Sequence, residues 1–197
     1  MWHSERSIVT WMARQARSQL PDGLYHVACR GNRRQVIFTD DGDRRFFYAL
    51  LARVVRQFQW HLHAYCLLEN HYHLVLETAV RDLSAGMQRL NGVYAQCFNS
   101  RHGVNGHLFQ DRYYAGFIEA DGHLLELIRY LALNPVRAGL SSRPENWPWS
   151  SYACLIGMGP AEPFLSINPV LRLFSEDAAR ARRILRRFVA DSTDTVR

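Results

Sequence analysis

The stretch WHLHAYCLLENHYHLVLET, residues 60–78, decides the fold. Its halves, Trp60–Leu68 and His71–Thr78, are apolar runs of strand length, rich in residues that fit a pleated surface. Only Glu69 and Asn70 separate them, a polar connection short enough for a hairpin. On both sides the apolar pattern changes to helical spacing. Upstream, Asp40 and Asp41 can cap a helix in which Phe46, Phe47, Leu50, Leu51, Val54, Val55 and Phe58 share one face. Downstream, Leu83, Met87, Leu90, Tyr94 and Phe98 form the buried line of a second helix.

Farther out, the turn Pro21-Asp22-Gly23 precedes an alternating strand, Leu24–Cys29, which runs into the basic loop Arg30-Gly31-Asn32-Arg33-Arg34. After the glycine-broken segment HGVNGH (102–107), Tyr113–Glu119 reads as a strand. Asp121 then opens a helix carrying Leu124, Leu127, Ile128, Leu131 and Leu133, which Pro135 is expected to close, because a residue before proline is pushed out of the helical region. The order β-α-β-β-α-β-α predicts an α+β chain with a ferredoxin-like antiparallel sheet and packed helices. RPENWPWSSY (143–152) reads as an irregular segment pinned by its aromatics. The expected organisation is an N-terminal extension over 1–20, one domain over 21–155, and a basic helical C-terminal extension over 156–197. That last region holds Arg172, Arg180, Arg182, Arg183, Arg186 and Arg187; a solvated face is the common fate of such a run, and a DNA-facing helix the functional alternative.

The chain has 197 residues, 48% of them hydrophobic, enough to build one core and to exclude wholesale disorder. No apolar run approaches the roughly 18 residues of a membrane span, and the first residues lack a signal-peptide stretch, so the expectation is a cytoplasmic protein with no membrane partner. Cys29, Cys66, Cys97 and Cys154 form no C-x-x-C pair, which argues against a zinc ribbon or a disulfide framework. The net charge is +6, and every basic residue is arginine, the cation that binds phosphate bidentately and stacks on bases. Nucleic acid is therefore the leading partner class. Arg30, Arg33 and Arg34, in a glycine-containing loop beside a sheet edge, are expected to touch phosphate or bases.

Residues two apart on a strand point to one face, about 6.6 Å apart, so His71 and His73 can present two imidazoles to one ligand. His61 and His63 have the same spacing. Context separates the pairs: His71 and His73 open a strand after a polar turn, whereas His61 and His63 lie deeper in an apolar strand and read as structural.

Beyond these patterns, six ordered blocks carry a family resemblance: YHVACRGNRRQVIF, WHLHAYCLLENHYHLVLET, LSAGMQRLNGVYAQCFNSRHG, GHLFQDRYYAGF, LLELIRYLALNPVRAGL and NWPWSSY. Over about residues 21–155 the chain resembles the single-tyrosine HUH nucleases and transposases, in particular the REP-associated tyrosine transposases. The family-like start reads MARQ from Met12, so the expected start is either Met1 or Met12, with 1–11 an upstream addition in the second case. The resemblance implies the HUH nuclease fold, His71 and His73 as the metal-binding pair with Tyr72 between them, Tyr130 as the catalytic nucleophile and Asn134 as the third ligand. Glu69 stands where members often have proline. Residues i and i+4 share a helix face, so Tyr130 and Asn134 can approach one centre together.

The implied reaction is attack by the tyrosine on a backbone phosphate of single-stranded DNA, giving a 5′-phosphotyrosine and a free 3′ hydroxyl, then religation without a nucleotide cofactor. An ordinary tyrosine, with a pKa near 10, costs about 4 kcal/mol to ionise at pH 7, so a divalent metal and nearby cations must offset that cost. The family implies Mg²⁺ or Mn²⁺, and Arg112 and Arg129 are candidate cations. It also implies single-stranded or hairpin DNA from repeat elements as partner, a bacterial nucleoid-associated location when bound, and either a monomer or a homodimer. Two other readings stand beside this one. A non-catalytic single-strand-binding module would look similar, and a cupin-like metal enzyme would read HYHLVLE as H-x-H-x-x-x-E with Glu77 as a ligand, although cupins need many more strands.

Overall fold

The computed structural model describes residues 21–78, 83–160 and 162–191. The expected extension over 1–20, with the alternative start at Met12, lies outside them. The strands β1 (Gly23–Arg30), β2 (His61–Leu67), β3 (His71–Thr78) and β4 (Tyr114–Phe117) form one antiparallel sheet in the order β2-β3-β1-β4. This is the ferredoxin-like order that the strand and helix succession predicts, and it excludes the cupin-like alternative. Helices α1 (Asp41–Gln57) and α2 (Leu83–His102) cover one face, and α3 (Asp121–Arg137) covers the other. Three further helices follow: α4 (Tyr152–Leu155), α5 (Asn168–Arg172) and α6 (Ala178–Ala190).

Strand alternation divides the apolar residues between two cores. Tyr25, Val27 and Cys29 of β1 and Tyr72, Leu74 and Leu76 of β3 meet Phe47, Leu51 and Val54 of α1 and Met87, Leu90 and Tyr94 of α2. On the opposite face, Ala64, Cys66 and Val75 meet Leu127, Ile128 and Leu131 of α3. Ala181, Leu185 and Val189, one stripe of α6, join this second core, which leaves Arg180, Arg183 and Arg187 exposed. Asp40 caps α1 by accepting from Asp43 N–H. Arg101 at the end of α2 pairs with Asp40 and Asp43 and ties the two helices together.

Three local expectations are corrected. First, α3 does not close at Pro135 but runs to Arg137, with Ala138 N–H on Asn134 O at 2.9 Å and Leu140 N–H on Pro135 O at 2.9 Å. In the last turn the missing proline N–H forfeits one bond only, and the proline ring is buried. Second, a bulge between Leu62 and Ala64 interrupts β2, so His61 and His63 do not follow the simple two-residue period. Third, β4 is shorter than Tyr113–Glu119, although Ile118 N–H still donates to Leu24 O at 2.9 Å.

The outer edge of β2 is covered. Leu67 N–H donates to Trp149 O at 2.8 Å, Ser151 N–H to Tyr65 O at 3.0 Å, and Trp147 Nε1–H to Leu67 O at 2.9 Å. Farther along, Ser166 N–H reaches Leu62 O at 2.7 Å. The tryptophan-rich segment thus blocks an edge that could otherwise pair with another chain. Among the described residues, no helix is long and apolar enough to cross a membrane.

Candidate active site

The register of the sheet builds the site. Tyr114 of β4 lies opposite Ala28 of β1, Ala28 opposite His73 of β3, and His73 opposite Cys66 of β2. Directly paired residues share a face, so this row points toward α3. Two pairs nearer the hairpin turn, and so on the same face, Arg30 faces His71; two pairs the other way, His26 lies between Gly116 and Val75. Ala28 and Gly116 are small, and the space over Gly116 is taken by the Tyr114 hydroxyl.

His71 and His73 have ring centroids 5.1 Å apart at 89°, as the two-residue spacing implies. His71 Nδ1 lies 2.6 Å from Asn70 Oδ1, and Asn70 Nδ2 in turn donates to Arg34 O at 3.1 Å. Since an amide oxygen only accepts, His71 carries its proton on Nδ1. His73 Nδ1 lies 3.0 Å from Nε2 of buried His26, and its own Nε2 is buried with no hydrogen-bond partner. Burial lowers all three imidazole pKa values from 6.5. His71 falls to about 4 through burial and then the charge of Arg30, and His26 to about 4 through burial and then His123. His73 falls well below 6.5 through burial and then its neighbours His26, His71 and Arg30. At neutral pH these are uncharged imidazoles, the form that ligates metals.

Helix α3 brings the remaining groups. Tyr130, partly buried, sits edge-on to His73 with centroids 5.5 Å apart at 81°. Asn134, one turn on and on the same face, is buried, and its Nδ2 has no partner. Arg137, seven residues after Tyr130, places its guanidinium 5.9 Å from the Tyr130 ring.

The other arginines are distributed differently. Arg30 flanks His71. Arg33 and Arg34 are exposed on a short 3-10 turn, Asn32–Arg34, with φ of 52° and 62°. That loop is tied to the β2–β3 turn by Gly31 N–H on Asn70 O (2.8 Å) and Ile37 N–H on Glu69 O (2.8 Å). Arg112 is exposed in the stretch that passes Arg30, between the Gln110 N–H bond to Arg30 O and the pairing of Tyr114 with Ala28. Arg129 instead turns toward α6: its guanidinium lies 3.6 Å from the Phe188 ring centroid and 3.2 Å from Glu126 Oε1. One residue is about 100° around a helix, so Arg129 and Tyr130 cannot share a direction.

The sequence model of the family described as "Transposase IS200 like" matches residues 20–134, more than half of the chain. The chain belongs to the IS200-like transposase family. The transposase fold has a solved counterpart in a REP-associated tyrosine transposase bound to a REP hairpin: TM-score 0.61, 19% identity, covering 79% of this chain and 94% of that one. A crystallised protein of Deinococcus radiodurans, assigned as a transposase, aligns with a TM-score of 0.43 and 17% identity over 60% of this chain and 95% of that one. Comparison with curated proteins finds no match.

The donor set can be tested against the metal that the family resemblance implies. Among the described residues, no three His, Cys, Asp or Glu side chains gather closely enough to hold a metal ion; the further donor that the resemblance implies is the amide of Asn134, buried one turn after Tyr130. Rotating that amide exchanges its oxygen with the unpartnered nitrogen. His73 Nε2 and Asn134 Nδ2 are buried without a hydrogen-bond partner, and a divalent ion would satisfy the first directly and the amide once it is rotated. Two imidazoles and an amide oxygen therefore fit a divalent ion, Mn²⁺ more readily than Mg²⁺.

Two residues of this transposase site, His26 and Arg137, were not singled out from sequence. Arg137 carried a signal, its i+7 spacing from Tyr130. His26 carried none, because only the β1–β3 register brings it to His73.

Proposed function

We propose that this transposase is a metal-dependent, single-strand-specific DNA endonuclease that uses Tyr130 to cleave and rejoin hairpin-forming DNA. One observation carries the reading: Tyr130 and Asn134 of α3 share one face, and Tyr130 meets His73, with His71 beside it, over an unpartnered buried nitrogen. The Tyr130 oxygen attacks a backbone phosphorus, its proton passing to solvent. The bond from phosphorus to the 3′ oxygen breaks, and that oxygen leaves as a hydroxyl, so the ester energy is kept in a 5′-phosphotyrosine. Attack by another 3′ hydroxyl reverses the step. A divalent ion, Mg²⁺ or Mn²⁺, held by His71, His73 and Asn134 would neutralise phosphate charge and polarise the bond under attack. All three ligands are uncharged, so the ion would keep its full positive charge for the phosphate. Arg30 and Arg137 add positive potential beside the imidazoles and the phenol.

The hairpin partner is supported by the solved counterpart, which holds a REP hairpin. Arg33, Arg34 and Arg112 would follow the DNA backbone away from Arg30, whereas Arg129, stacked on Phe188, would act only by contributing charge nearby.

A 3′-labelled hairpin oligonucleotide with a single-stranded flank, incubated with the protein and Mn²⁺ or Mg²⁺, should give a labelled species that survives denaturing gels. Tyr130→Phe removes the attacking oxygen and nearly preserves packing, so the adduct should vanish while DNA binding persists. Tyr114→Phe should retain the adduct. An adduct that survives in Tyr130→Phe and is lost in Tyr114→Phe overturns the assignment. The lack of a third His, Cys, Asp or Glu ligand among the described residues favours a second reading, a binding module without chemistry. That reading predicts retention of the hairpin and no adduct in the unsubstituted protein.

A further inference from the structure

We propose that His26 is a positioning residue: its Nε2 accepts the Nδ1–H of His73 and holds His73 in the tautomer whose Nε2 lone pair is available to a divalent ion. The inference rests on the metal site proposed above and adds a residue outside its ligand set.

The 3.0 Å contact between His26 Nε2 and His73 Nδ1 holds one proton, and only two placements are open. If His26 donates, the His73 proton sits on Nε2. That nitrogen would then be a buried N–H with no acceptor, and it could not ligate. If His73 donates, Nε2 is a bare lone pair on the face shared with His71 and Tyr130. The neighbouring imidazole shows the same arrangement reached by another route: Asn70 Oδ1 takes the Nδ1–H of His71, and the Asn70 amide is fixed in that sense by its bond to Arg34 O. Both imidazoles thereby expose the same ring nitrogen. An acceptor behind the ring of a metal-binding histidine commonly has this job.

The surroundings of His26 hold its ring in place. It is 6% exposed, lies edge to edge and nearly coplanar with the His73 ring, centroids 5.1 Å apart at 26°, and meets the Tyr114 ring edge-on at 5.7 Å. Its backbone is locked on both sides, opposite Val75 in β3 and Gly116 in β4. A ring so confined cannot swing away when the ion binds, so its acceptor stays in line with His73.

Mn²⁺ affinity of the full-length protein, measured by calorimetry or by the free-ion resonance signal, tests this without DNA or turnover. His26→Phe keeps a ring of similar size and removes the acceptor; affinity should fall by about 10- to 100-fold. His26→Gln restores an acceptor oxygen and should bind within a few-fold of the unsubstituted protein. In the metal-free protein, nitrogen NMR of the imidazoles should show His73 protonated on Nδ1, a reading that needs no variant and decides the matter if His26→Phe does not fold. Unchanged affinity in His26→Phe, equal weakening in the Phe and Gln variants, or a His73 protonated on Nε2 each overturns the inference while leaving the metal site intact. Failure of the unsubstituted protein to bind Mn²⁺ overturns the metal site itself, and the role of His26 with it.

Discussion

Tyr114 and Tyr130 both reach the histidine face, and residue-level geometry separates them. Tyr113, adjacent to Tyr114, points to the other core, where its hydroxyl lies 3.0 Å from Ser84 Oγ, as strand alternation requires. Tyr114 lies against His26, with its hydroxyl folded over Gly116. Tyr130 faces His73, whose free nitrogen is the expected ligand, and only Tyr130 has an amide one helical turn away. The two histidine pairs separate in the same manner. His61 is exposed opposite Glu77, and buried His63 is held by Ser166 O at 2.8 Å from Nδ1 and by Glu77 at 3.8 Å from Nε2. Its Nδ1 is already engaged, and its Nε2 faces a carboxylate of the same strand pair. Mn²⁺ affinity should therefore fall by more than about 100-fold in a His71→Ala/His73→Ala double variant, beyond the usual effect of an outer partner. In His61→Ala/His63→Ala it should hold within a few-fold, with a lowered melting temperature. Metal binding lost only in the second variant, with its fold intact, would reverse the pair assignment.

Among the elements, the loop after β1 links recognition to the site. Its residues 31–38 bond to Glu69 and Asn70, so the arginines it displays cannot shift without disturbing the turn that precedes His71. Neutralising Arg30, Arg33 and Arg34 to Gln should weaken single-strand binding. If all three touch phosphate, it should also reduce the slope of log affinity against log salt by about 2, at about 0.7 per contact. An unchanged slope in a salt titration would remove the loop from the interface. How much of this was readable depends on the range of the signal. The β3 boundaries and the Asp40 cap follow from neighbouring residues and are legible in the sequence. The helix through Pro135 is not, because the pre-proline rule is local while burial of the α3 end against the sheet is tertiary. The β2 bulge and the His26–His73 contact are long-range facts of register, which no spacing within one segment reports. Arg129 was placed one position away from a chosen tyrosine, and the helical turn carried it to Phe188.

At the scale of the whole molecule, the sheet face that carries the site is costly to fold with uncharged imidazoles inside it, and this sets how stability depends on pH. His26, His71, His73 and His63 all have folded-state pKa values below their ordinary 6.5, in each case chiefly through burial. Below about pH 6.5 the unfolded chain takes up protons that the folded chain refuses. Stability therefore rises with pH through that window and levels off above it. Each imidazole adds up to about 1.4 kcal/mol per pH unit between its folded and unfolded values, so the metal-free protein should lose several kcal/mol between pH 7 and pH 5. The carboxylate of Asp40, hydrogen-bonded by Arg101, is lowered from 3.8, so the stability it contributes is constant between pH 7 and pH 5 and is lost only at more acid pH, outside this window. A bound ion acts in the opposite direction, since a ligand specific to the folded state at 100 times its dissociation constant stabilises by about 2.7 kcal/mol. Denaturant titrations at pH 7 and pH 5, with and without Mn²⁺, should show a metal-free deficit at pH 5 and a metal-dependent gain at pH 7. A metal-free stability that stays flat between the two pH values would mean that these imidazoles accept protons in the folded state, and the uncharged ligand set would have to be abandoned.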